Sequence, residues 1–234
     1  MAFRFADHKA QVYKDIRNRS AVSLGAKHLR QFDLEFLTFT GAEPTMSVLD
    51  IGCGAGVFLQ YLHHRGFRDV VAVDYDENMR DALAGIEQAG FAVEIMEAEA
   101  FVKRVQGQRR FDRIVLFDIL EHMELDKCVS VLTKLHGILN VGGKILVRVP
   151  NVSSPWGLRM QYDTFDHVTS FSPGRVHELA ALAGYRVTAL AGQNTGKRRK
   201  IIFQRCLHWM LARILPYHPE IWEPAVICTF EEPM

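Results

Sequence analysis

Residues 47–56, SVLDIGCGAG, place a short apolar strand ending in an acid directly before three glycines spaced GxGxG. Val48, Leu49 and Ile51 are side chains suited to a strand buried in a parallel sheet. Gly52, Gly54 and Gly56 permit a tight turn where backbone must approach a ligand closely. The turn is predicted to open a helix near Val57. A dinucleotide-binding turn needs GxGxxG, but the place of its last glycine is taken by Val57. The lysine and Ser/Thr of a phosphate loop are missing as well. A pyrophosphate ligand is therefore disfavoured, whereas Asp50, at the end of the strand, suits an ammonium group.

The chain then repeats the theme of a strand closed by an acid. Residues 69–74, DVVAVD, end in Asp74, where a carboxylate can accept both hydroxyls of a ribose. Tyr75 and Met79 follow as candidates to flank an adenine ring. A third strand, 92–96, leads into Glu97 and Glu99, and a fourth, 111–118, FDRIVLFD, is closed by Asp118. A fifth strand is predicted at 144–149 after a turn at 140–143, a sixth at 185–190 and a last at 225–230. This ordered set closely resembles the motifs of the class I S-adenosylmethionine (SAM) methyltransferases. The resemblance implies an α/β fold with a doubly wound, seven-stranded, mostly parallel sheet, the last strand lying antiparallel beside the sixth. It also implies a SAM site made by Asp50, Gly52, Gly54, Gly56, Asp74, Tyr75, Glu99 and Asp118, with Glu99 near the adenine amino group.

Length and composition fit one catalytic domain with decorations: 234 residues, 48% hydrophobic, bury an ample core. Residues 1–46 are polar and helical in pattern with interspersed aromatics, an expected N-terminal helical cap. Residues 47–234 form the expected methyltransferase domain, with 193–224 an amphipathic insertion between the last two strands. A net charge of +1 argues against whole-surface attraction to nucleic acid. Cys53, Cys128, Cys206 and Cys228 have no paired spacing, which points to a reducing compartment rather than a zinc site or disulfide framework. With no apolar leader and no run of eighteen apolar residues, a cytoplasmic protein is expected.

Ligands of open α/β folds bind at the carboxyl edge of the sheet, so the segment after the fourth strand, DILEHM, is where chemistry is sought. Asp118, Glu121 and His122 share one face if this segment is helical. A second histidine, His167 in DTFDHVTSF, follows the fifth strand beside Asp166. Three readings stand. Glu121 and His122 cap a helix and satisfy the loop; or His167 is a general base with Asp166 or Glu121 orienting its ring; or Asp118, Glu121, His122 and His167 bind a divalent ion that polarises an acceptor hydroxyl. The last follows from a resemblance of DxxEH and DHxxxF to the pattern of the small-RNA 2′-O-methyltransferases, and more loosely to quinone-pathway O-methyltransferases. Here Asp118 stands in place of a glutamate.

From Lys144 onward the PN, SP, DH and FSP elements are similar to bacterial methyltransferases associated with surface polysaccharide and lipopolysaccharide synthesis. That similarity implies a hydroxyl of a glycan or lipid-linked saccharide as acceptor, with Asn151, Ser153, Arg159 and Tyr162 in its pocket. A quinone precursor, an RNA 2′-hydroxyl or a non-catalytic SAM-binding role are the alternatives. KRRK at 197–200 precedes the amphipathic stretch IIFQRCLHWMLARIL, in which Gln204, Arg205, His208 and Ala212 can share one polar stripe. Peripheral contact with an anionic membrane, a homodimer interface or packing on the domain's own core are the expected uses of this helix.

Overall fold

The computed structural model describes residues 23–193 and 198–233, without the side chain of Arg198. Phe3, Phe5 and Tyr13 of the expected cap, and Lys197 of the basic cluster, lie outside the described residues. Seven strands form one sheet: β1 (Val48–Ile51), β2 (Val70–Asp74), β3 (Ala92–Ile95), β4 (Phe111–Phe117), β5 (Leu139–Pro150), β6 (Arg186–Gly192) and β7 (Ala225–Glu231). Their order is β3-β2-β1-β4-β5-β7-β6. The first five run parallel, and β7 inserts antiparallel between β5 and β6, so that Cys228 faces Val147 on one side and Leu190 on the other. Every residue of β1 and β2 is buried, as continuous apolar runs between two helical layers require.

One layer holds α1 (Ala26–Phe32), α2 (Val57–His64) and α3 (Arg80–Gln88). The first of these continues as a π-helical segment, Asp33–Thr38. Phe32 and Phe36 there pack edge-on against Phe58 of α2, and Phe36 reaches Phe67. Burial of each such ring contributes about 2–3 kcal/mol, enough to dock a short helix that is marginal alone. Asp33 adds a forked ion pair to Arg65 at 2.5 and 2.8 Å and accepts from the Tyr61 hydroxyl at 3.0 Å. The opposite layer holds α4 (Ala98–Val105), α5 (Leu125–Leu135) and α7 (Pro173–Leu182), with Phe101, Leu132 and Leu179 in its core.

Two further helices lie toward the carboxyl edge, α6 (Pro155–Tyr162) after β5 and α8 (Arg198–Ile214) between β6 and β7. Both α6 and α7 begin with Ser–Pro, the serine hydroxyl accepting from the first turn and proline at the position where no N–H is needed. Gly157 in α6 is a close-approach glycine: a Cβ there would stand 1.9 Å from the Asn151 carbonyl oxygen.

One expectation is corrected. The turn predicted at 140–143 is a bulge inside the long strand β5: Phe111 pairs with Leu139 and Arg113 with Lys144, so the residues between bow outward around Gly142, with Val141 in solvent. A glycine with positive φ serves a bulge as well as a hairpin, so the sequence signal for the two is the same.

Candidate active site

The turn after β1 has the backbone its glycines foretold: Gly52, Gly54 and Gly56 sit at φ 75°, 51° and 76°. Their surroundings differ. A Cβ on Gly52 would overlap Ile119, and one on Gly56 would press on Leu83, whereas one on Gly54 would meet nothing within 4 Å. Gly54 therefore borders open space, and its N–H donates to Asp74 Oδ2 at 2.8 Å. The other Asp74 oxygen accepts from the Asp76 N–H at 2.9 Å, which fixes this carboxylate at the lip of the glycine turn. Gly54→Ala is expected to weaken SAM binding at least tenfold, because its methyl fills that space. The left-handed backbone conformation costs alanine only about 1 kcal/mol, so thermal unfolding should shift by a few degrees. Calorimetric titration and a melting curve check the two effects.

Asp50 is buried beside this turn, and its Oδ2 has no hydrogen-bond partner among the described residues. Burial, reinforced by the neighbouring Asp74 carboxylate and opposed by Arg148, pushes its pKa up to about 8. An orphaned buried carboxyl fits a cationic ligand group. Without one, the folded state holds a proton that the unfolded chain releases near pH 4, so stability falls as pH rises from about 4 to 8. Asp50→Asn removes this dependence. The melting temperature of the ligand-free protein should fall by several degrees between pH 5.5 and 8.5, on the order of 5–10 °C, and fall less in the variant.

Of the other residues expected at the cofactor, Tyr75 is exposed at the end of β2, while Met79 is buried in the core with α2 and α3. Glu99 accepts from Ser130 Oγ and Lys134 Nζ, both at 2.8 Å, so it is engaged by α5; Lys134 and Ser130 hold its pKa below the usual range.

At the end of β4 the chain turns through Asp118, a non-glycine residue at φ 56°. Such a conformation costs about 1–2 kcal/mol and persists only where the surroundings hold it. Here Arg148 on β5 does so. Its carbonyl accepts from the Asp118 N–H at 3.0 Å, and its guanidinium forks onto the Asp118 carboxylate at 2.5–3.1 Å. The same guanidinium donates to buried Glu35 at 2.8 Å and lies over the Phe117 ring. Glu35 Oε1 accepts from Gln193 at 2.9 Å.

The segment after Asp118 is a single 3-10 turn, Leu120–His122. The α-helical spacing that would have aligned Asp118 with Glu121 and His122 is absent. The structure brings Glu121, His122 and His167 together, with one ligand-capable atom of each within 4.8 Å of the others, and leaves Asp118 with Arg148. The two segments are tied by backbone: Val168 and Thr169 N–H both donate to the Glu121 carbonyl at 2.8 and 3.1 Å. Gln161 at the end of α6 donates to the His167 carbonyl at 3.2 Å. The rings of His122 and His167 meet edge-to-face at 4.6 Å.

Polar atoms in this cluster are left open. Glu121 Oε2 and His167 Nδ1 are buried with no hydrogen-bond partner among the described residues. Burial and Asp118 raise the Glu121 pKa to about 8, while burial and His122 lower that of His167. Asp166 pairs with His122: its Oδ2 lies 3.1 Å from His122 Nδ1, leaving Nε2 as the other ring nitrogen.

The expected acceptor pocket is dispersed. Asn151 is fully buried, its amide donating to the carbonyls of Ile221 and Glu223 at 2.8 and 3.1 Å, so it pins the chain ahead of β7 to the end of β5. Ser153 is exposed, Arg159 pairs with Asp163 one helical turn on, and Tyr162 is 75% exposed. Arg148 and Glu35 are the residues sequence reading passed over. A lone arginine inside the apolar run KILVRVP was the available signal.

Residues 26–190 match the family described as a methyltransferase domain. Curated relatives named ubiquinone biosynthesis O-methyltransferase include those of Pseudomonas aeruginosa, 32% identical over 44% of this chain and 44% of the relative, and Cereibacter sphaeroides, 25% identical over 59% and 60%. A third, from Rickettsia conorii, is 25% identical over 50% of this chain and 39% of its own length. The match thus spans roughly two fifths to three fifths of these relatives. Among solved structures, a SAM-dependent methyltransferase from Archaeoglobus fulgidus superposes with a TM-score of 0.66 at 20% identity, over 89% of this chain and 95% of the other. The magnesium protoporphyrin IX methyltransferase of Synechocystis with bound SAH superposes with 0.60 at 13% identity, over 94% and 95%. These likenesses establish the shared fold.

Proposed function

The chain belongs to the methyltransferase-domain family, and on that premise we propose that it transfers the methyl group of SAM to a hydroxyl oxygen activated at the Glu121–His122–His167 cluster. The observation that carries this reading is the convergence of those three side chains with two buried polar atoms unpartnered, at the carboxyl edge where β4 and β5 end. When bound, SAM supplies a methyl group made electrophilic by its sulfonium. The residues that would hold it are Gly54 of the glycine turn, the Asp50 carboxyl for its ammonium group and the Asp74 carboxylate for its ribose hydroxyls. The open Asp50 oxygen and the open space at Gly54 fit such a ligand.

His167, held neutral by burial at pH 7, takes the proton from the acceptor hydroxyl through its free nitrogen. The deprotonated oxygen then attacks in line, the protein positioning both reactants and excluding water. A second reading has its own support. Glu121, His122 and His167 form a donor set that fits a divalent ion, and the Asp166 contact on His122 is the kind that orients a metal-bound imidazole. Such an ion would acidify the hydroxyl directly.

For the acceptor, the names of the curated relatives favour a phenolic quinone precursor. The exposed apolar residues around His167, Phe165 and Val168 among them, suit a ring bearing a hydrophobic tail. The surface-glycan acceptor rests on the PN-to-FSP resemblance alone. The test is release of S-adenosylhomocysteine against catechol-type quinone precursors, lipid-linked saccharides, nucleotide sugars and short RNAs, with and without chelator. Turnover confined to the first class supports the proposal, and turnover confined to saccharides or RNA overturns the acceptor. Activity that survives chelator assigns the proton to His167 alone; loss restored by one ion assigns the metal.

A further inference from the structure

The helix α8 keeps large apolar residues on its solvent side as well as on the side that meets the domain. Its half-buried side carries the polar residues Gln204 and His208 among Ile201, Leu207 and Leu211. This side closes over a cleft of about 40 Å³ lined also by Trp156, Gln193, Trp222 and Glu223 and, at its edge, by Arg205, with His208 stacked on Trp222 at 4.9 Å. The side turned to solvent carries Ile202, Phe203, Trp209, Met210 and Ile214, exposed by 47–70%. Ordinary packing puts such residues inward. Interleaved with them are exposed Arg199, Lys200, Arg205 and Arg213, and no acidic residue occurs anywhere in Arg198–Ile214.

The outer face is therefore at once apolar and wholly cationic. Among the described residues no helix is long and apolar enough to cross a bilayer, so such a face lies along a surface. The second layer of a protein core would supply apolar cover but leave the unbroken positive charge unmatched. An anionic lipid interface supplies both, the rings entering the acyl boundary and the arginines extending to phosphates. Arg213 already lies over the Trp209 ring at 4.3 Å, a pair that places a cation at headgroup depth beside an interfacial aromatic.

We propose that the outer face of α8 docks on anionic phospholipid bilayers. The docking surface stands independently of which acceptor is methylated, and its test reads binding rather than turnover. In flotation with vesicles of seven parts phosphatidylcholine to three of phosphatidylglycerol, the full chain is expected to rise with the lipid at low salt. It should stay behind with phosphatidylcholine alone, and release as salt increases. Phe203→Glu with Trp209→Glu should abolish flotation. Arg205→Gln with Arg213→Gln should weaken it at least tenfold while leaving the aromatics in place. SAM binding, read on each variant, confirms that the fold is retained. Absence of flotation by SAM-binding wild-type protein, flotation unchanged in both variants, or a tight dimer that Phe203→Glu with Trp209→Glu splits without any lipid binding would each overturn the proposal.

Discussion

His167→Ala is expected to lower kcat roughly 10²–10⁴-fold, the range for removing a positioned proton acceptor, while the Kd for SAM stays within about twofold. The separation follows from the layout of the carboxyl edge. The proposed donor contacts lie at the ends of β1 and β2, at Asp50, Gly54 and Asp74, whereas His167 reaches the edge from beyond β5 and is joined to the turn after β4. Glu121→Gln should produce a loss of the same order if the cluster acts as a unit. It keeps the shape and removes only the ionisable oxygen that now lies buried and unpartnered. Steady-state kinetics of both variants against an accepted substrate, beside calorimetric SAM binding, provides the check. A His167→Ala variant with near wild-type kcat would return His167 to a packing role.

The second large effect falls on stability. Arg148→Met should destabilise the domain by about 3–5 kcal/mol, because the buried Glu35 would lose its charged partner and keep only the neutral amides of Gln193 and Gln31. For a chain of this size that lowers the melting temperature on the order of 10 °C. The Asp118 side of the fork is half exposed and contributes less to this figure. Its loss acts on geometry instead: the left-handed turn at Asp118 loses its clamp, and the 3-10 turn carrying Glu121 and His122 loses its fixed start. Adding Glu35→Gln to Arg148→Met should recover much of the stability and little of the activity. Thermal melts of the single and double variants distinguish a buried-charge penalty from a loss of packing.

The contrast between these two predictions tracks what the chain discloses locally. The strands were legible because a parallel sheet covered on both faces leaves long apolar runs, and Asp50 near the end of β1, Asp74 at the end of β2 and Asp118 just after β4 mark their carboxyl ends. Gly52, Gly54 and Gly56 were legible because a ligand turn needs left-handed backbone, which they adopt. The expected alignment of Asp118 with Glu121 and His122 on one face required an α-helical phase, and the chain takes instead a left-handed residue and one 3-10 turn. The cause is Arg148, thirty positions from Asp118, and Glu35, more than a hundred positions from Arg148; no local pattern encodes that pairing. Asn151 was misread for a similar reason: the carbonyls it serves belong to residues 221 and 223, brought beside it only when β7 inserts next to β5. The helix α8 was legible but its orientation was not: Gln204 and His208 turn inward, His208 onto the Trp222 ring, while Arg205, expected on the same stripe, is exposed.

The most direct measurement is transfer of a deuterated methyl group from labelled SAM, followed by mass spectrometry of the products. The purified wild-type chain and His167→Ala are compared on a catechol-type quinone precursor. The account predicts a trideuteromethyl ether on a hydroxyl oxygen for the wild type and a rate at least a hundredfold lower for the variant. Label appearing on nitrogen or carbon, or equal rates for the two proteins, would contradict it.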